Sequence, residues 1–291
     1  SKHFYLNAMK LTYESYTDIA TRGSTIVSNA SKAVRINTEG TGDPIALSDP
    51  VTIVPSLQQS ASADATVDTA GKTLRLSWAA VSADAASLTL GVSPNDGFLT
   101  AQNAGGSLQL TNASASALTV NAVVADNAQP SALVKSGVGP VVLSAANTFS
   151  GALSILQAPL VLANSLALQN ATLGSTGAVF DASVASHAFT FGNLTNAFGL
   201  ALADSAGAPV ALSVGNNNAD GAFGGRLSGA GSLAKVGAGT LSLTAANGHG
   251  GGTFVQAGQL KASHTNALGY GAVSNNSLLV LAVGNGSYSG L

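Results

Sequence analysis

The side chains able to do chemistry here are few, and their spacing matters more than their number. His3, His187, His249 and His264 could ligate a metal, but no two stand at the intervals that bring imidazoles to one ion, so they read as surface histidines, His249 in the turn Asn247–Gly252. Asp126, Asp181, Asp204 and Asp220 are the acids beyond residue 100, each isolated in sequence, so no paired general acid and base is visible. Asp220 and Arg226 lie six residues apart and read as an exposed turn pair. "ADSAG" (203–207) places Ser205 beside an acid but lacks the Gly-x-Ser-x-Gly elbow that exposes a nucleophile. The phosphate-binding pattern Gly-x-x-x-x-Gly-Lys-Ser/Thr is missing, and "GGGTFVQAG" has no Asp to make a calcium repeat. The expectation is no catalytic residue, no metal and no cofactor.

Composition explains how such a chain stays folded. Charged residues are 8% of the 291, and the 46% hydrophobic content is Ala, Leu and Val with only 5% aromatics. Ten of the charged side chains fall in residues 1–50 and eight in residues 101–291. A surface so poor in charge must be wetted by hydroxyls and amides. Net charge is −2 with a pI near 6.0 and no basic run, which disfavours nucleic acid. Cysteine is absent, so burial alone must hold the fold. The longest apolar run, Leu278 to Val283, is too short to cross a bilayer, which takes about 20 residues.

From about Ala46 one unit returns: a short Leu-x-Leu alternation, then small residues with Asn or Gly. It appears as "KTLRLSW" (72–78), "ASLTLGV" (86–92), "GSLQLTN" (106–112), "SALTVNA" (116–122), "GPVVLSA" (139–145), "PLVLANS" (159–165), "PVALSVG" (209–215), "GTLSLTA" (239–245) and "SLLVLAV" (277–283). Period-two alternation predicts strands with one buried face. A longer repeat overlies them. Residues 133–168 align with 233–268 without a gap and share twelve identities, among them Lys135/Lys235, Gly137/Gly237, Gly139/Gly239, Leu143/Leu243, Asn147/Asn247 and Gly151/Gly251. A repeat in an all-β chain predicts a solenoid, each coil laying its strands about 4.8 Å above the last. With about 20 residues per coil, the copies lie about five coils apart and the chain makes about 14 coils over about 65–70 Å.

These residues carry a family resemblance. "GSLAKVGAGTLSLTAANGHGGGTFVQAGQLKASHTNALG" (231–269) resembles the passenger-associated transport repeat of autotransporter-type proteins: a Leu-x-Lys-x-Gly-x-Gly core, an alternating Leu strand, an Asn turn, then "G-x-L" and "A-L-G". The earlier copy departs at Pro140, where the pattern has Thr. The later one departs at Gly248-His249, where the pattern has the Thr-aromatic pair kept as Thr148-Phe149. The resemblance implies an all-β chain folded as a right-handed parallel β-helix, and an exported surface or secreted protein.

The expected organisation is residues 1–45 as a cap, edge strand or end of a preceding module, and 46–291 as the solenoid, with copies at 131–230 and 231–291. Within it the glycines permit turns, the leucines fill the interior, and Asn147 and Asn247 join ladders of turn asparagines whose amides bond to the coils above and below. The aromatic-rich opening "KHFYLNAMKLTYESYT" (2–17) packs on the first coil or adds to a neighbouring subunit. The functional expectation is a non-catalytic extracellular rod, structural or adhesive, that contacts its own repeats, glycans or other cells. Two alternatives are a carbohydrate-active β-helix enzyme, requiring carboxylates and a base to converge from neighbouring coils, and a receptor-specific adhesin.

Overall fold

Parallel strands joined by short links cannot pair with their immediate neighbours in sequence, so the chain must travel round before it can pair again. It does so in a computed structural model that describes residues 16–283 except 21–22, 30, 38–42, 61–62, 77–79, 84–85 and 158. There is no helix among the described residues, and every pairing between named strands is parallel. All nine alternating segments contribute strands, from Thr73–Leu76 to Leu278–Leu281. The fold is a β-solenoid of about twelve coils.

One sheet runs the length of the rod. Its thirteen strands begin at Tyr16–Ile19 and finish at Val273–Asn275, about 58 Å apart at the usual step. A second face is built by eight strands from Thr25–Ile26 to Ala178–Phe180. Further along, four strands (Gly221–Phe223, Thr240–Leu243, Gln259–Ala262 and Leu278–Leu281) follow the long-sheet strands as the eight do earlier. Shorter sheets form the third face: Val51–Val54 to Val123–Ala125, then Leu200–Ala201, Leu227–Gly229 and Gly248–His249.

The hundred-residue repeat is five coils. Ala132–Ser136 and Ser232–Lys235 are separated in the long sheet by four strands, and Lys135 and Lys235 each pair with a residue twenty positions on, Ile155 and Val255. Coil length varies elsewhere. Val81 pairs with Leu110, twenty-nine residues on, so the described rod has fewer coils than the fourteen a constant twenty predicts. Tyr16–Ile19 and Ala33–Ile36 already belong to the long sheet, so the solenoid includes residues before 46. Most of 2–17 lies outside the described residues.

The interior is a set of in-register columns. Leu90, Val120, Leu143, Leu162 and Phe180 stack in successive coils, all buried. Near the middle the column widens: the Phe180 ring centroid lies 4.7 Å from that of Phe189 and 5.8 Å from that of Phe191. Because each coil touches mainly its neighbours, damage should stay local. Leu143→Ala should cost about 2–5 kcal/mol. In hydrogen exchange the loss should appear at Leu118–Val120 and Leu160–Leu162 and leave Thr240–Leu243, five coils away, protected.

Candidate functional site

A lysine among leucines needs an explanation. Lys135 takes the place in its column held by Leu110 below and Ile155 above, and Lys235 stands between Val214 and Val255. Both side chains are 0% exposed. The methylene stem continues the apolar column, and the ammonium turns out of it into a ring of carbonyls. Lys135 Nζ donates to the oxygens of Ser136 (3.1 Å), Gly137 (2.6 Å) and Gln157 (2.8 Å). Lys235 Nζ donates to those of Val236 (2.6 Å), Gly237 (2.8 Å) and Ala257 (3.2 Å). Two partners belong to the lysine's own turn and the third to the next coil. Burial pushes both ammonium groups below the usual lysine value, and at Lys235 the nearby Asp220 charge works against this.

The turn must present its carbonyls inward, which sets the glycines. Gly137 and Gly237 have φ of +77° and +70°, the left-handed region. Gly139 and Gly239 are needed for a different reason: a Cβ there would meet Ser114 O at 1.9 Å and Ala219 O at 2.4 Å on the preceding coil. Gly151 and Gly251 make the same close approach, to Ser131 O and Ala230 O. Pro140, which replaces Thr, has no amide to donate; in the other copy the Thr240 amide donates to Asp220 Oδ1 at 2.7 Å. Leu143 and Leu243 are buried in the interior columns.

At the next corner the asparagines clamp three coils. Asn147 Oδ1 accepts from the Val124 amide at 2.8 Å, and its Nδ2 donates to Ala167 O at 3.0 Å. Asn247 repeats this with Leu227 (2.8 Å) and Ala267 (2.6 Å). Both are buried, and their partners are backbone groups, so each is a single clamp and not a member of an amide ladder. Asn112 and Asn193 do comparable work outside the aligned segments 133–168 and 233–268: Asn112 Nδ2 reaches Ser116 O and Pro140 O, and Asn193 Nδ2 reaches Ala219 O. An Asn in an Asn-rich chain gives no sign of this until the coils are superposed.

These two clusters are where the chain matches something known. Among family models, the passenger-associated-transport-repeat matches residues 133–158 and 233–262. The chain carries that repeat twice. Searches among curated proteins and among solved structures returned no match. The matched segments begin at the leucine before each buried lysine and take in the glycine turn, the Leu strand and the asparagine clamp. Passenger-associated-transport-repeats on a β-solenoid make the chain similar to an autotransporter-type passenger, and the repeat implies an exported protein.

The groups that could do chemistry are mostly spent on turns. Asp126 accepts from the amides of Ser131 and Ser150 and the Ser150 hydroxyl, and Asp181 from the Ser183 amide. Asp220 bonds to Thr240, and among the described residues no ion pair joins it to Arg226, against the expectation of a turn pair. Asp204 Oδ2 lies 2.7 Å from His187 Nδ1, a pairing invisible in sequence. Burial opposes its charge, but the Ala208 and Ala206 amides and His187 outweigh this and hold Asp204 below the usual carboxylate range. Ser205 is not at that histidine: its Oγ accepts from the Ala182 amide at 3.1 Å. No group of three or more potential metal ligands occurs among the described residues.

His249 corrects the expectation of a surface turn residue. It is fully buried, in the position that Phe149 fills in the first copy. Thr253 Oγ1 donates to Leu268 O at 2.9 Å, so it accepts from His249 Nε2, also at 2.9 Å. Nδ1 then carries the lone pair and has no partner. Burial lowers the imidazole pKa to about 4.

Two outcomes follow from these clusters. Lys235→Met keeps the stem and strands three carbonyls, so it should cost about 2–4 kcal/mol. The loss should be read as faster exchange at the Gln256 and Gln259 amides. For His249, the folded pKa lies below the unfolded 6.5, so the unfolded chain binds the proton first. Stability should be unaffected above pH 6.5 and should fall between pH 6.5 and about 4, by roughly 3 kcal/mol in all. His249→Phe should remove that increment in urea unfolding at pH 7 and 4.5.

Proposed function

We propose that this chain is a non-catalytic, extracellular structural or adhesive rod of a bacterial surface or secreted protein. The observation that carries the reading is the uninterrupted thirteen-stranded sheet with its columnar core. Every strand between the first and last of that sheet is hydrogen-bonded on both sides, so bending the rod means straining the bonds between whole coils. Such a body holds something at a distance or bridges two surfaces. The small, uncharged outward residues support a role in contact with copies of itself, with glycans or with other cells. The use of Asp126, Asp181, Asp204 and Asp220 as separate acceptors for turn and next-coil amides favours this over a carbohydrate-active enzyme, which would bring them together.

Electron microscopy of the native material is the test. Stiff rods or fibres with an axial spacing near 4.8 Å are expected; globular particles without that spacing would overturn the rod. Uronate-containing polysaccharides incubated with the protein should keep their length. Release of shorter chains would overturn the non-catalytic part.

A further inference from the structure

The outward face of the four-stranded sheet near the end of the rod is not flat. Parallel register puts its solvent-facing side chains in two columns running along the axis. Ala222, Ser242, Lys261 and Val280 form one; Thr240 and Gln259 form the other, with Asp220 preceding them. The first strand contributes almost no bulk, because Gly221 and Ala222 occupy it, while its neighbours carry Thr, Ser, Gln and Lys. The preceding coil supplies Thr195 and Asn196, and an isolated parallel bridge joins Asn196 to Phe223. The result is an open groove of about 710 Å³ lined by residues from five successive coils. Its length along the axis is about 20 Å.

The chemistry of the lining narrows the ligand. Thr195, Asn196, Thr240, Ser242 and Gln259 offer neutral donors and acceptors, and one acid, Asp220, is balanced by one base, Lys261. Some of this capacity is used internally: Thr240 Oγ1 donates to Gln259 Oε1, Asn196 Nδ2 to Gly174 O, and Asp220 Oδ1 accepts from the Thr240 amide. Among the described residues the hydroxyls of Ser242 and Thr195 and the ammonium of Lys261 make no hydrogen bond. Val280 and Ala222 give the floor an apolar strip. An elongated groove with hydroxyl and amide side chains on three of its five coils and no net charge is complementary to a chain of polyhydroxylated rings.

From this geometry we infer that the groove is a binding site for an uncharged oligosaccharide, lying lengthwise over Ala222 and Ser242 with Lys261, Ser242 and Thr195 as its principal hydrogen-bonding partners. The ligand's ring faces rest on Ala222 and Val280, and its hydroxyls meet the unspent groups of Ser242, Thr195 and Lys261. This site stands independently of whether the rod is structural, because it rests on the outer side chains alone.

The test uses the chain with neutral gluco-, manno- and N-acetylglucosamine oligosaccharides and, as a contrast, an oligouronate, each titrated to about 10 mM, well above a millimolar dissociation constant. Saturable amide shifts confined to Gly221–Phe223, Thr240–Leu243 and Gln259–Ala262, produced by a neutral member and persisting in high salt, are expected. Ala222→Trp fills the groove from an exposed position and should weaken that binding at least about tenfold. Ser213→Trp, on the outer face of the long sheet, should leave it unchanged. Thermal unfolding of both variants establishes that each is folded, and Ser242→Ala serves in place of Ala222→Trp if the latter is not. No saturable shift with any neutral member, binding of the oligouronate alone, or binding indifferent to the groove variants would each overturn the site.

Discussion

Everything in this structure depends on one constraint: in a parallel stack, the residue above a side chain is its equivalent in the next coil. An interior position is therefore a column, and a column must be filled at every level by something that packs on what lies above and below it. Leu90, Val120, Leu143, Leu162 and Phe180 satisfy this directly. The amides and ammoniums that enter the interior find backbone partners at their own level or the adjoining one, whereas His249 makes do with the Thr253 hydroxyl. The buried amides of Asn112, Asn147, Asn193 and Asn247 and the ammoniums of Lys135 and Lys235 all end on carbonyls.

The same constraint separates what could be read in the sequence from what could not. Leu-x-Leu alternation marks the strands because burial on one face leaves a period of two, and the gap-free repeat yields five coils because both copies use the same coil length. The uneven coils around Val81 and Leu110 were hidden, since a loop can lengthen outward without disturbing the columns. Lys135 and Lys235 could be marked as part of a pattern, but not as buried, because charge predicts exposure. His249 was misplaced for a related reason: its neighbours Gly248 and Gly250 suggest a surface turn, and only alignment with Phe149 points to the interior. The His187–Asp204 pair lies on two different coils, so no local pattern could contain it.

The division between inside and outside also bears on where function can reside. Interior columns are fixed by packing and leave little freedom to vary. Outward columns are constrained only by register, so their side chains can change coil by coil without cost to the stack. A groove can arise there from nothing more than Gly221 and Ala222 standing beside Thr240, Ser242, Gln259 and Lys261. Binding surfaces on such a scaffold are made by outward side-chain choice, with no need of a loop.

The reach of each lysine across two levels has a consequence for how the rod is assembled. Two of the three carbonyls around Lys235 come from its own turn, but Ala257 arrives with the following coil. Until that coil docks, the ammonium is incompletely coordinated and retains access to water. Its desolvation is therefore compensated only when two coils close together, which couples their formation into one event. The repeat thus works as a latch: a growing rod passes each lysine as a step that is hard to hold halfway and hard to reverse once made.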